Sequence, residues 1–229
     1  MNNNRIASLV YRSIFITFSF IGLFLSSEIL EGTFNTHLFV YYTYLSNILC
    51  FIVMLLVLIY NIKKVCSGEV IGYNEHIKRI KGASTIAILI TGVVYHLLLG
   101  DPSADDFFTL QNLIVHYIVP LMFVLDWIIF DRKKSYSVID PLTWLAIPAV
   151  YFIYALIRGA IVGPNDELQY AYFFIDVNEY GYGGVMIWAL VLTAAFTIVG
   201  YLMFLYDRII KVDGKYKLDL SKIEKDIDY

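Results

Sequence analysis

Charge is scarce in this chain. Asp, Glu, Lys and Arg make up 16% of its 229 residues and hydrophobic residues 59%, whereas an ordinary soluble domain is about a quarter charged. A water-soluble fold is therefore not expected. Neither sign of charge dominates: 17 basic and 20 acidic residues leave a formal net charge of -3, so no bulk basic excess points to nucleic acid or to an anionic lipid surface. Cysteine is limited to Cys50, inside an apolar run, and Cys66, in a connection expected to face a reducing compartment, so a structural disulfide is not expected. A Cys-x-x-Cys pair, a glycine-rich phosphate loop and a His-Glu-x-x-His helix are all missing, and with them the usual sequence marks of redox, nucleotide and zinc-protease chemistry. No internal repeat or low-complexity segment is visible.

What the chain does have is long apolar runs. Six stand out, over residues 8–26, 38–60, 82–99, 110–130, 141–161 and 183–206. Each has the length of about 20 residues that a helix needs to cross a hydrocarbon core of about 30 Å. They are roughly twice as long as barrel strands and do not alternate, and a segment in lipid must bond its own backbone, so helices are the workable reading. The fold class expected is all-α, a bundle of six transmembrane helices over residues 1–206. The charged tail 207–229 is expected to be a solvated extension of the last helix. The first run lacks an Ala-x-Ala type cleavage site, so it is expected to stay as a helix and not to act as a signal peptide.

Basic residues orient such a bundle, because Lys and Arg near span ends stay on the cytoplasmic side. All but one of the 17 fall at the N-terminus, in the second and fourth connections or in the tail, among them Arg12, Lys81 and Lys133. The three alternate connections carry acids only, such as Glu28, Asp106 and Asp176. Both termini are therefore expected in the cytoplasm. The exception is Arg158 near the outer end of span five; it either snorkels toward the outer headgroups or pairs with Glu28 or Asp176, or it holds the free carboxylate of a fatty-acyl substrate.

Polar groups inside spans are costly in hydrocarbon and mark candidate sites. Thr43 lies roughly 8 Å and His116 roughly 9 Å below the expected outer boundary at 1.5 Å per residue. Asn47 follows Thr43 by four residues and His116 follows Asn112 by four, so each pair shares a helix face. His96 and Arg158 are expected at similar depth. Ser46 and Tyr117 flank the two pairs as supporting residues. A hydroxyl facing an imidazole suits nucleophilic catalysis, since Thr needs a base to take its proton during attack. The same spacing also suits a Thr bonded to its own backbone beside a packed His.

The segments Tyr41-Tyr42-Thr43-Tyr44-Leu45-Ser46-Asn47, Val115-His116-Tyr117-Ile118-Val119-Pro120, Phe173-Phe174-Ile175-Asp176 and Tyr180-Gly181-Tyr182-Gly183-Gly184 resemble the prokaryotic six-span membrane proteins grouped with the androgen-induced family of multi-pass hydrolases. The resemblance extends over nearly the whole chain in span number, order and spacing. It implies a threonine hydrolase of fatty acid esters of hydroxy fatty acids, placed in a prokaryotic cytoplasmic membrane, with Thr43 as nucleophile and His116 as base. It implies no cofactor, and as partner a lipid or fatty-acyl substrate drawn from the membrane. The Tyr-rich surroundings of Thr43 replace a Tyr-Leu-Thr-Phe type sequence of the animal members. Other readings of the same residues are a lipid carrier or receptor without chemistry, a haem held between His96 and His116, and a zinc held by both with Asp101. The aromatic connection 162–182 reads either as a lid or as an interfacial belt.

Overall fold

The structure, a computed structural model, describes residues 3–67, 75–166 and 168–210. All regular structure among them is helical, and six helices are long and apolar enough to cross a membrane. The chain is thus an all-α, multi-pass membrane protein. Span one is Asn3–Ser26 and span two Tyr42–Cys66. Span three runs Glu75–Val94 and continues as a π-helix over Tyr95–Leu99. Span four joins Leu110–Leu113, a π-helix Ile114–Ile118 and Val119–Phe130. Span five joins Asp140–Trp144 to Ala146–Val162, and span six is Val177–Ile209. Of the expected charged tail 207–229, residues 211–229 lie outside the described residues, and Asp207 is not solvated but buried, accepting the Ser135 amide at 2.8 Å.

Several edges differ from the hydropathy reading for physical reasons. Span two begins at Tyr42 and not at residue 38, because Asn35 accepts the His37 amide and starts a separate 3-10 turn, Thr36–Phe39. The chain then passes extended through Tyr41. Thr43 is consequently in the first helical turn, among the amides that have no partner within the helix. Span three starts at Glu75 because Lys81, which ends the apolar run in the sequence, is buried and paired inside the bundle. Span five bends after Trp144, where Pro148 lacks the amide that would bond the Trp144 carbonyl. In span six Asp176 caps the amides of Asn178 and Glu179, and Gly181 at φ 62° and ψ 169° separates that first turn from the long apolar stretch. Only glycine adopts such a conformation without strain.

Spans one to four pack in a ring, one on two, two on three, three on four and four on one. Phe15, Met54, Ile88 and Phe123, one from each of these spans, have no exposed surface, and Phe15 meets Phe123 edge-on at 5.5 Å. Spans five and six lie outside the ring against span three. At the end of the ring that carries most of the basic residues, Arg12 Nε donates to Asp126 Oδ1 at 2.9 Å, Lys81 bonds both Asp126 and Asp131, and Arg12 lies 3.6 Å from Asp131. Lys81 is therefore not the loop charge, nor Arg12 the N-terminal end charge, that the sequence suggested. They are interior groups held by two carboxylates, and burial on this scale is tolerable only because the charges cancel.

Candidate active site

Thr43 and His116 meet. Thr43 Oγ1 lies 3.3 Å from His116 Nε2, and His116 Nδ1 lies 3.2 Å from the carbonyl oxygen of Asn112. A carbonyl only accepts, so Nδ1 carries a proton, and in the neutral imidazole Nε2 then has the lone pair that takes the Thr43 hydrogen bond. This is the tautomer that a general base requires. The backbone makes the arrangement possible. Pro120 has no amide for the His116 carbonyl, the chain relaxes into the π-helix Ile114–Ile118, and such segments turn a side chain out of the regular register, often at functional sites. Span three comes close at this level through Gly92, where a Cβ would lie 3.1 Å from the His116 carbonyl oxygen.

The surrounding groups fix the pair. Asn47 Nδ2 donates to the Thr43 carbonyl at 2.8 Å and to the Val115 carbonyl of span four at 3.0 Å, tying the two spans together beside the dyad. Ser46 donates to the Thr43 carbonyl at 2.9 Å and is 2.7 Å from the Thr91 hydroxyl of span three. The Tyr95 ring stacks on the imidazole, with centroids 3.6 Å apart and planes at 15°. Asn112 orients His116 through its backbone carbonyl, whereas its side chain donates to the Phe107 carbonyl at 2.9 Å and to the Tyr95 hydroxyl.

The other candidates stand further out. His96 is exposed, and its Nδ1 is 3.3 Å from the Tyr117 hydroxyl. Both nitrogens of His116 are within hydrogen-bond reach of other groups, Thr43 Oγ1 and the Asn112 carbonyl, which lends the haem and zinc readings no support. Among the described residues no three His, Cys, Asp or Glu side chains gather as metal ligands. Arg158 neither snorkels freely nor offers its guanidinium to the dyad. Its Nη1 donates to the carbonyls of Leu168 at 2.6 Å and Gln169 at 3.3 Å, and Nη2 is 3.7 Å from Asp166. Neither Glu28 nor Asp176, its expected partners, is used.

That Arg158 contact folds the connection between spans five and six back over the bundle. Gln169 donates to the Gly159 carbonyl at 2.9 Å, Phe173 meets Trp188 edge-on, and Gly163 and Gly181, both at positive φ, bracket the segment. It covers a cavity of about 340 Å³ whose walls come from spans three, five and six, with Tyr42 and Thr43 at its edge. That volume is in the usual range for small-molecule sites, about 300–1,000 Å³. Ile153, Met186 and Leu190 line it and are at least half exposed, so the cavity opens sideways, where hydrocarbon surrounds the bundle. Tyr172 reaches down from this connection, and its hydroxyl accepts the Thr43 amide at 3.3 Å.

No family model, curated protein or solved structure matches the chain. The site is therefore read from its geometry. The sequence placed Thr43, His116, Asn47 and Ser46 in one neighbourhood correctly, because helical periodicity carries that information. It missed Tyr95 and Tyr172 as site residues. Tyr95 was readable in principle, since it lies next to His96 at matching depth in an antiparallel span. Tyr172 is 129 residues from Thr43 and sits in an irregular segment, where no periodicity signals what it touches.

Proposed function

We propose that the protein is a membrane-embedded hydrolase of lipid carboxylic esters, with Thr43 as nucleophile and His116 as general base. The observation that carries this reading is the 3.3 Å approach of Thr43 Oγ1 to His116 Nε2, with Nδ1 held by the Asn112 carbonyl, beside an apolar cavity. Thr43 Oγ1 attacks the ester carbonyl carbon as its proton passes to Nε2; the alcohol leaves with that proton, and an acyl-threonine remains. Water then attacks the acyl carbon, giving one proton to Nε2, which returns it to Thr43 as the fatty acid departs. The cavity suits an acyl chain entering from the bilayer. The likeness of the segments around Thr43 and His116 to the threonine hydrolases supports the same two roles. The one-sided distribution of basic residues supports cytoplasmic termini and a site in the outer part of the membrane.

The test is covalent. A fluorophosphonate should label the purified protein at Thr43, and Thr43→Ala or His116→Ala should abolish both labelling and hydrolysis of a fatty-acyl para-nitrophenyl ester. Hydrolysis that survives in Thr43→Ala removes the covalent mechanism. Lipid binding without labelling or turnover makes the cavity a carrier site.

A further inference from the structure

Tyr172 reaches Thr43 from outside the four-helix ring. Its hydroxyl oxygen accepts the Thr43 amide at 3.3 Å, and its ring lines the cavity together with Thr43. The ring is clamped: it stacks on Phe174 at 5.2 Å and 9°, and meets Tyr41 edge-on at 6.0 Å. Because the oxygen takes backbone amides, the phenol's own hydrogen remains to be donated, and the groups beside it are the Thr43 side chain, the Tyr42 and Thr43 backbone and the cavity. We infer that Tyr172 is the third catalytic residue of the site, donating its hydroxyl hydrogen to the oxyanion that forms when Thr43 attacks an ester. This rests on the hydrolase reading.

The electrostatics agree with that role. As the Thr43–acyl bond forms, the carbonyl π pair moves onto the carbonyl oxygen, which must find donors in a site with little water. Span two makes its first amide bond only from Leu45 to the Tyr41 carbonyl, so the amides of Tyr42, Thr43 and Tyr44 form the positive end of that helix beside the reacting atom. The Thr43 amide polarises the phenol and strengthens it as a donor. Burial pushes the Tyr172 phenol up to about 12, so it keeps its proton at any working pH. The donor belongs to the connection between spans five and six, and thus the site is complete only when that segment is folded down.

The experiment uses the full chain in detergent with a medium-chain para-nitrophenyl ester. Tyr172→Phe should lower kcat about 10²–10³-fold, the usual loss for one oxyanion donor, with KM within threefold of wild type and an unchanged melting temperature. Phe174→Leu, which keeps the phenol but loosens its packing, should act mainly on KM. Replacing Tyr172 with 2,3-difluorotyrosine, which acidifies the phenol without removing it, should bring an alkaline limb of kcat down from near pH 12 into the measurable range, because activity is lost once the donor ionises. A kcat within threefold of wild type in Tyr172→Phe, or an alkaline limb that ignores fluorination, overturns the assignment while Thr43-dependent turnover persists. Absence of any Thr43-dependent turnover or labelling in the wild type instead overturns the hydrolase reading itself, and the role of Tyr172 with it.

Discussion

Span four carries two buried polar clusters, at Asp126 and at His116, ten residues or about 15 Å apart along the helix. They solve the same problem differently. At Asp126, two carboxylates meet Arg12 and Lys81 in a dense, charge-neutral knot that joins spans one, three and four. Each charge depends on its partners, and the paired atoms of Arg12, Lys81 and Asp126 are buried. At His116 no opposite charge faces the imidazole; its Nε2 meets the Thr43 hydroxyl, and Thr43 also lines a cavity. The first arrangement spends its polarity on joining helices. The second leaves one hydroxyl available to a ligand. Buried polarity by itself therefore does not mark a site in a membrane bundle; polarity beside an opening does.

That contrast can be broken or sharpened by substitution. The largest effect is expected at the charged end. Asp126→Leu leaves Arg12 and Lys81 short of a counter-charge and should cost about 3–5 kcal/mol, read as loss of folded protein in size-exclusion and thermal-unfolding measurements. Adding Lys81→Met should recover much of that stability, because removing both partners is far cheaper than removing one. If the double variant is no better than the single one, the knot is not held by charge pairing. At the other end the pattern should reverse. Thr43→Ala and His116→Ala should each lose at least about 10³-fold in turnover, and together no more than either alone, while stability changes by about 1 kcal/mol.

Asn47 tests the join between the two behaviours, since it bridges spans two and four beside the dyad. Asn47→Ala should cost about 1–3 kcal/mol through carbonyls left without that donor, and turnover should fall less than in Thr43→Ala. Full activity with unchanged melting would show that the bridge positions nothing. The smallest effect is expected from Arg158→Gln. Because the guanidinium is engaged by Leu168, Gln169 and Asp166, the substitution should raise KM a few-fold through the loosened connection. The rise should be equal for an ester with a free carboxylate and for its methyl ester. A loss confined to the free acid would return Arg158 to substrate recognition.

Much of this was legible in the residues. Apolar runs long enough to cross a bilayer leave helices as the only way to satisfy the backbone, so the all-α class and the six spans followed from composition and length. Edges were less secure because hydropathy stops at a charge: Lys81 looked like a loop residue until Asp126 and Asp131 neutralised it. The run beginning at 38 hid the 3-10 turn at Thr36–Phe39 that delays span two. Thr43 and His116 were nominated from depth, periodicity and the resemblance of the segments around them. Their roles as a pair, however, depended on the π-helix Ile114–Ile118 and on the Asn112 carbonyl, neither of which a regular helical wheel contains.

The sequence by itself determined what must lie in the membrane and which of its polar groups share a level there, because both depend on local backbone rules and on regular rise per residue. Only the tertiary structure decided which of those groups touch. It turned His96 outward, committed Arg158 to the carbonyls of the following connection, and brought Tyr172 across 129 residues to the amide of Thr43. Such contacts arise where irregular segments fold against helices, and there no period in the chain encodes the distance between partners.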